Sequence, residues 1–392
     1  MRCSQINVSF LIGTHYSSFF SLSDRNCDAW QPSFGTNAMM AFEYKGGVIV
    51  MKKFLIGLAA LVLALSSATA APEAALGAEK KPRLGVLIFD YSNAYVSYIR
   101  NSIENCNKDG KAELIMVDSQ NDQAKQVEQV DNLIQQGVNA VAINAVAPES
   151  AGAMIEKLKA AGVPVVFFNR CPSESDLMSY EACYYVGTTP AQSGEMQSKM
   201  AWEAFKANAA FDKNGDGKMQ YVILKGEPGH PDAEARTEAN QYALADLKAS
   251  VELFDIQTGR FRTAEAKDVM DAWIGKYGDK IEMVLTNNDA MLLGAVESLN
   301  GAKIKSGIVG INALPEVLPL IDDGSLIGSI LSDAAREGVC IYTMCYNLAS
   351  GQEVLTSLNE TFGPMKDVRI PYIPIDKNNT GFAREVYGTI LK

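Results

Sequence analysis

Histidine and tryptophan are scarce in this chain: two of its 392 residues are His and three are Trp. A His-ligated metal centre or a Ser-His-Asp triad therefore has little to build on. Basic residues are also in deficit, with 35 Lys and Arg against 46 Asp and Glu and a net charge of −11. Because a nucleic-acid binder needs a basic face, we expect no nucleic-acid partner.

An apolar run long enough to span a membrane is also lacking. The run from Phe54 to Leu65 has twelve residues, whereas a transmembrane helix needs about 18 or more. It follows Met51-Lys52-Lys53 and precedes Ala68-Thr69-Ala70, which are the three parts of a signal peptide. We therefore predict a signal peptide over residues 51–70 and a soluble product exported to the periplasm, and a transmembrane helix is the less favoured alternative.

A signal peptide that begins at an internal Met is unusual, because the export machinery reads the N-terminus. We expect Met51 to be the true start and residues 1–50 to be translated upstream sequence; a genuine extension is the alternative. Removal of residues 1–70 leaves 322 residues, and the loss of Lys52 and Lys53 lowers the net charge to −13, since residues 1–50 carry three bases and three acids.

Metal-type CxxC spacing is absent among the cysteines that remain, which are Cys106, Cys171, Cys183, Cys340 and Cys345. Cys171 and Cys183 bracket a short polar loop, and an oxidising compartment would permit a disulfide there. Buried free thiols are the alternative, and the sequence leaves both open.

From Arg83 onward, short β-branched runs alternate with amphipathic segments, which predicts parallel sheets covered by helices. The predicted strands are Leu84–Phe89, Glu113–Val117, Ala140–Asn144, Val165–Phe168, Tyr221–Leu224, Glu252–Ile256, Met283–Leu285, Ile308–Ile311 and Leu326–Leu331. So many strands favour two α/β lobes over one sheet. Ligands bind beyond the carboxyl ends of such strands, where Asn93, Asn144, Asn169, His230, Asn288 and Asn312 are found.

Residues 212–220 read DKNGDGKMQ, which matches the first nine positions of an EF-hand calcium loop. The oxygen ligands would be Asp212, Asn214, Asp216, the carbonyl of Lys218 and Gln220. Position 12 is Ile223, where an EF-hand has a bidentate Glu. We predict a calcium site that takes a carboxylate from elsewhere; an Asx-rich turn without an ion is the alternative.

The segment from Leu224 to Arg236, LKGEPGHPDAEAR, is specific enough to suggest a known protein family. Together with DSQND at 118–122, Ala142–Asn144, Val165–Asn169 and Asn287–Met291, it resembles the periplasmic glucose/galactose-binding proteins of sugar ABC transporters. The likeness runs from about Arg83 to Lys377. It implies two doubly wound parallel-sheet lobes joined by a three-crossover hinge, and a Glu, here Glu282, that completes the calcium site.

Carried onto this chain, the resemblance places the crossovers near Pro164, Asp333 and Arg369. The N-terminal lobe would then hold residues 83–164 and 333–369, and the C-terminal lobe residues 165–332 and 370–392. The family closes these lobes on one sugar and presents it to a membrane permease.

The resemblance also implies the sugar-binding residues. Five match the family's pattern: Asn144, His230, Asp232, Arg236 and Asn288. Six depart from it: Asn93 and Asn312 stand where the family has acids, Ser332 replaces an Asn, Phe261 an indole, and Phe89 and Tyr95 a Tyr and a Phe. These changes weaken the assignment to glucose or galactose. Arg260, beside Phe261, either lines the pocket and selects an acidic or modified sugar or is a solvated rim residue.

The predicted function is therefore a monomeric, exported solute-binding protein that captures a monosaccharide and delivers it to an ABC permease, with a chemoreceptor as a further candidate partner. Other sugars, such as pentoses or acidic hexoses, and a sensor-only role are alternatives. A glycosidase needs two carboxylates that flank the bond, and this pocket has lost acids, so we expect no enzyme. A repressor would need a helix-turn-helix in residues 1–82, where the export signal lies instead.

Overall fold

The computed structural model describes residues 80–391 and, before them, two short strands, β1 (Glu43–Tyr44) and β2 (Gly47–Val48), that pair antiparallel. The predicted signal peptide lies outside the described residues, as does nearly all of the predicted upstream segment, so both stay predictions. Within residues 80–391, no helix has the length and apolarity needed to cross a bilayer.

The first lobe is built on a six-stranded, all-parallel sheet in the order β13-β7-β6-β5-β3-β4. Its strands are β3 Arg83–Ile88, β4 Glu113–Asp118, β5 Ala140–Ile143, β6 Val165–Phe168, β7 Cys183–Gly187 and β13 Asp367–Arg369. Its helices are α1 Ala94–Cys106, α2 Gln123–Gln135, α3 Ala151–Ala160, α4 Glu174–Met178 and α10 Ala334–Ala349.

The second lobe repeats this plan in the order β14-β12-β11-β10-β8-β9, with only β14 antiparallel to its neighbour. Its strands are β8 Met219–Lys225, β9 Val251–Thr258, β10 Met283–Thr286, β11 Gly307–Asn312, β12 Gly328–Leu331 and β14 Ile373–Ile375. Its helices are α5 Pro190–Ala207, α6 Pro231–Asp246, α7 Thr263–Tyr277, α8 Asp289–Ala302 and α9 Leu318–Asp322. The predicted fold class, two α/β lobes with mainly parallel sheets, is confirmed.

The strands at the centre of each sheet are buried along their whole length, as β5, β6, β10 and β12 show. Helices cover both faces of a parallel sheet, so such strands are apolar throughout rather than alternating. Two helices that begin at the cleft have an N-cap residue whose side chain accepts a backbone N–H: Asn93 caps α1 and Asn288 caps α8. Capping therefore fixes two polar side chains at the strand ends that face the cleft.

The first lobe boundary predicted from the resemblance, near Pro164, is wrong. Strands β6 and β7 both hydrogen-bond into the first sheet, and the chain leaves that lobe only after Gly187. The buried run of β6 needs neighbours on both sides, which β5 and β7 supply. The other two crossovers lie where predicted, between β12 and α10 and between β13 and β14.

The C-terminal helix α11 (Thr380–Ile390) contacts both lobes. The Tyr387 ring packs edge-on against the Tyr98 ring of the first lobe, with 4.8 Å between the ring centroids. The Tyr387 hydroxyl donates a hydrogen bond to the carbonyl of Asn312 in the second lobe. The prediction that residues 370–392 belong to the second lobe alone is therefore corrected for this helix.

Cys171 and Cys183 are free thiols, so the alternative of free cysteines holds for the five described cysteines. Cys183 lies within strand β7 and is fully buried, whereas Cys171 is half-buried in the loop after β6.

Substitution of Gly194 tests how closely α5 packs against α6, and substitution of Gly275 on α7 serves as the control. A Cβ at Gly194 of α5 would lie 2.5 Å from the carbonyl oxygen of Arg236 and 2.8 Å from the Cβ of Ala239, both on α6. Nothing lies within 4 Å of a Cβ at Gly275 of α7. We expect Gly194→Ala to lower the free energy of unfolding by about 1–3 kcal/mol, and the control Gly275→Ala to raise it by up to about 1 kcal/mol. Urea unfolding measures both, and equal effects would contradict the close α5–α6 packing.

Candidate functional site

A cleft lies between the carboxyl ends of the two sheets, which is where ligands bind in open α/β folds. The first lobe lines it after β3 and β6, and the second after β8, β9, β10 and β11. The twelve lining residues are Phe89, Asn93, Tyr95, Val96, Asn169, Arg170, His230, Asp232, Arg236, Phe261, Asn288 and Asn312. Nine of the eleven predicted sugar-binding residues are among them.

Asn144 and Ser332 are the two predicted residues that do not line the cleft. Asn144 is fully buried behind it and donates from Nδ2 to the carbonyl of Phe168 at 3.2 Å and to Oδ1 of Asn169 at 3.3 Å. Asn169 lines the cleft in front of it, and Asn144 Oδ1 has no hydrogen-bond partner among the described residues, so the assignment of Asn144 to the sugar stays a prediction. Ser332 is buried beyond Tyr95, whose hydroxyl lies 2.8 Å from Ser332 Oγ.

Arg170 is the principal lining residue that the sequence did not indicate. Its guanidinium stacks on the ring of Phe89 at 3.8 Å, Nη1 donates to the carbonyl of Val146 at 2.8 Å, and Nη2 pairs with Glu227 of the second lobe at 2.9 Å. Its Nε is buried and has no partner among the described residues. Its position directly after β6, beside Asn169, was the only available signal.

The second lobe presents a cluster built on the first turn of α6. His230 caps this helix: its Nδ1 accepts the backbone N–H of Asp232 at 3.0 Å. Burial and the nearby charges of Arg170 and Arg236 lower the His230 pKa well below its usual value. The imidazole is therefore neutral, and its one proton lies on Nε2, available as a donor.

Arg236 is buried and makes three hydrogen bonds, to Asp232 Oδ2 at 3.0 Å, to the carbonyl of Asn287 at 2.9 Å and to the hydroxyl of Tyr372 at 2.8 Å. Burial raises the pKa of Asp232, while Arg236, Arg170 and Arg369 oppose that rise. Both guanidinium groups that line the cleft are thus paired with carboxylates, Arg170 with Glu227 and Arg236 with Asp232.

Backbone conformation places several of the lining side chains. Asn169 and Phe261 have φ of 59° and 60°, and Asn312 has φ of 118°. Such values are uncommon outside glycine and cluster where function constrains the chain. Phe261 fits because Gly226 faces it: a Cβ on Gly226 would lie 2.1 Å from the Phe261 ring.

Arg260 is a rim residue and not a lining residue. Its side chain is 58% exposed, and its Nε lies 3.5 Å from Glu265 Oε2 on the same lobe. The neighbouring Arg262 reaches Asp90 of the first lobe at 3.4 Å. Arg262–Asp90 is thus a second ion pair that joins the lobes across the cleft, in addition to Arg170–Glu227.

The predicted calcium loop is a tight turn in which Gly215 and Gly217 have φ of 76° and 73°. Asp212 accepts the N–H groups of Gly215, Asp216 and Gly217. Glu282 lies beside the loop, as the resemblance implied: its carboxylate accepts the N–H of Lys213 at 2.7 Å and of Gln220 at 3.0 Å.

Two observations bear on whether a cation fits the loop. Gln220 Oε1 is buried with no hydrogen-bond partner among the described residues, and burial together with the charges of Asp212 and Asp216 raises the pKa of Glu282. An unpaired oxygen and crowded carboxylates are conditions that a hard cation relieves. In the part of the chain described, no three His, Cys, Asp or Glu side chains converge closely enough to hold a metal by themselves, so a site here also needs the amide and carbonyl oxygens.

The two sheets, the three crossovers and the polar cleft between them define a two-lobed solute-binding protein. The family model described as "periplasmic binding protein domain" matches residues 84–353. The chain belongs to this family, as the sequence resemblance implied.

Curated relatives and a solved structure agree with this assignment. The D-galactose/methyl-galactoside binding periplasmic protein MglB of Haemophilus influenzae is 42% identical over 84% of this chain and 98% of its own length. A putative rhizopine-binding protein of Rhizobium meliloti is 30% identical over 78% of this chain and 93% of its own. An ABC transporter solute-binding protein from Bacillus halodurans, solved with bound myo-inositol, has a TM-score of 0.67 at 27% identity and covers 79% of this chain and 100% of its own.

Proposed function

We propose that this protein is exported to the periplasm, where it captures a neutral monosaccharide related to galactose or glucose and delivers it to an ABC sugar permease. The observation that carries the proposal is the closed cleft, lined by amide groups, a neutral His, an Asp–Arg pair and aromatic rings. Each sugar hydroxyl both donates and accepts a hydrogen bond and needs partners when buried. Four Asn side chains and His230 supply both kinds of group.

The charge of the cleft favours a neutral ligand over an acidic one. Each of the two lining guanidinium groups already has its own carboxylate, so a ligand carboxylate would find no uncompensated cation there. The exposed position of Arg260 removes the feature that had suggested an acidic sugar. The galactose-binding relative supports a hexose; the relatives named for rhizopine and bound to myo-inositol keep other cyclic polyols as alternatives.

Binding without chemistry is the better reading of the same residues. Asp232 is the only carboxylate among the twelve lining residues, and it is paired with Arg236, whereas a glycosidase needs two. A role in presenting the sugar to a chemoreceptor, with or without transport, is compatible with the same closed form. Deletion of the gene followed by separate measurement of sugar uptake and of chemotaxis distinguishes these roles.

We further propose that the loop at 212–220 binds calcium through Asp212, Asn214, Asp216, the Lys218 carbonyl, Gln220 and Glu282. The orphaned Gln220 oxygen and the position of Glu282 support this. The ion would supply a cross-link between the loop and β10 and takes no part in sugar binding, since none of these residues lines the cleft.

Calorimetry across hexoses, pentoses, inositols and uronic acids should find the tightest binding with a neutral hexose. Asp232→Asn keeps the side-chain volume but removes the charge, so we expect the affinity to fall about 10- to 100-fold. The matched control is Glu234→Gln, an exposed position on the same helix, which should bind as the wild type does. Equal affinities for both variants, or tightest binding of a uronic acid, would contradict the proposed site.

Removal of calcium by a chelator tests whether the loop at 212–220 binds the ion. Removal of calcium with EGTA should lower the melting temperature by about 5–10 °C if the ion is present at about 100 times its dissociation constant. Glu282→Gln keeps the side-chain size and one of the two acceptor oxygens but carries no charge, so calcium should raise its melting temperature far less. A wild-type melting temperature that is the same with calcium and with EGTA would show that the loop holds no ion.

A further inference from the structure

Glu337 is a buried acid that the proposed sugar site does not use. It lies on the first turn of α10, is 1% exposed, and has an Oε2 with no hydrogen-bond partner among the described residues. Its Oε1 lies 2.9 Å from the hydroxyl of Tyr95. Because Tyr95 lines the cleft, Glu337 is one side chain removed from the ligand.

The hydroxyl of Tyr95 has two oxygen neighbours, one in the first lobe and one at a crossover between the lobes. It lies 2.9 Å from Glu337 in the first lobe and 2.8 Å from Ser332 Oγ at the second crossover. A phenol carries one proton and can donate to only one of these oxygens. The other contact must be donated to Tyr95, by the Ser332 hydroxyl or by a protonated Glu337. The direction of the Tyr95 hydroxyl therefore depends on whether Glu337 carries a proton.

The surroundings of Glu337 favour its neutral form. The titratable and charged groups that face it are Tyr95 of α1, Tyr185 of β7, Asp232 and Arg236 of α6, and Asp333 and Cys340 of its own helix segment. The one cation in this set, Arg236, is paired with Asp232. Burial, with the charges of Asp232 and Asp333, raises the pKa of Glu337 to about 8.

We propose that Glu337 is a positioning residue for the sugar pocket: with a proton in the closed cleft, it joins Tyr95 and Ser332 in a hydrogen-bonded cluster that holds the Tyr95 ring against the ligand. This inference rests on the proposed function, since it requires that the cleft bind a sugar. Asp232, whose charge raises the Glu337 pKa, belongs to the other lobe, so separation of the lobes removes that charge and opens the cleft beside Tyr95 to water.

A pH dependence follows with a definite sign. In the closed form the pKa of Glu337 is raised to about 8, and the loss of the Asp232 charge and the entry of water on opening lower it toward the value of a hydrated Glu, about 4.3. Closure on the sugar then takes up a proton at neutral pH. The affinity should fall as the pH rises toward 8, by at most about tenfold per pH unit, and should level off above that. His230 does not contribute in this window, because its lowered pKa keeps it neutral.

The decisive comparison is between the wild type and Glu337→Gln, which keeps the shape of the side chain but cannot ionise. Calorimetry from pH 6 to pH 9 with the best-bound hexose should show about tenfold weaker binding at pH 8 than at pH 6 for the wild type and a flat profile for Glu337→Gln. In buffers of different ionisation enthalpy at pH 7, the wild type should take up protons on binding and the variant should not.

Glu316→Gln is the matched control. Glu316 accepts from the hydroxyl of Tyr98, one turn along α1 from Tyr95, at 3.0 Å, but it is exposed and does not line the cleft. It should keep the wild-type pH profile. Glu337→Leu removes the hydrogen-bonding group as well and should bind about tenfold more weakly than Glu337→Gln at every pH; if it fails to fold, Glu337→Gln decides alone.

Parallel pH profiles for the wild type and Glu337→Gln, or equal proton uptake, would overturn the role of Glu337 and leave the sugar site standing. A folded wild type that binds no sugar at any pH would overturn the proposed function, and this inference with it.

Discussion

The buried guanidinium of Arg236 is the contact on which the arrangement of the cleft depends. A buried cation is stable only when its charge is compensated, and the Nη1 and Nη2 groups of Arg236 are hydrogen-bonded, while its Nε has no partner among the described residues. The acceptors come from three places: Asp232 on the pocket helix, the carbonyl of Asn287 after β10, and Tyr372 on the third crossover. The Tyr372 hydroxyl lies 2.7 Å from that of Thr188, on the first crossover. The lining cation is thereby linked to two of the three hinge segments.

The charge of Arg170 must also be paired when it is buried, and here the pairing requires the two lobes to be closed. Its guanidinium belongs to the first lobe, but its carboxylate partner, Glu227, belongs to the second. In the closed cleft Arg170 is 4% exposed, a burial that the pairing makes tolerable. A neutral ligand adds hydrogen bonds to both lobes and leaves this balance of charge unchanged, and such differential contacts are what a ligand needs to favour the closed form. A charged ligand would disturb the balance.

Periodicity predicted most of the fold because buried parallel strands read as short apolar runs. It missed β7, which places the half-buried Tyr184 in an otherwise buried strand, and it missed β13 and β14, whose three residues each are too few to show a pattern. The misplaced boundary near Pro164 has another cause: it was carried over from the resemblance, and it leaves out even β6, which periodicity did predict and which pairs with β5 in the first sheet.

The contrast between Asn144 and Asn169 shows where sequence reasoning about the site ends. Each Asn follows a buried strand, so the strand-end rule selects both, and residue type cannot separate them. Asn144 directly follows β5, between β3 and β6, and its side chain is covered by the next strand end. Asn169 has a positive φ that turns the chain toward the cleft. Arg260 and Phe261 repeat the lesson, since both have positive φ and only Phe261 lines the cleft. The parallel topology thus fixes which positions can reach a ligand, while the backbone conformation at each strand end decides which do, so side chains there can change the ligand without disturbing the sheets.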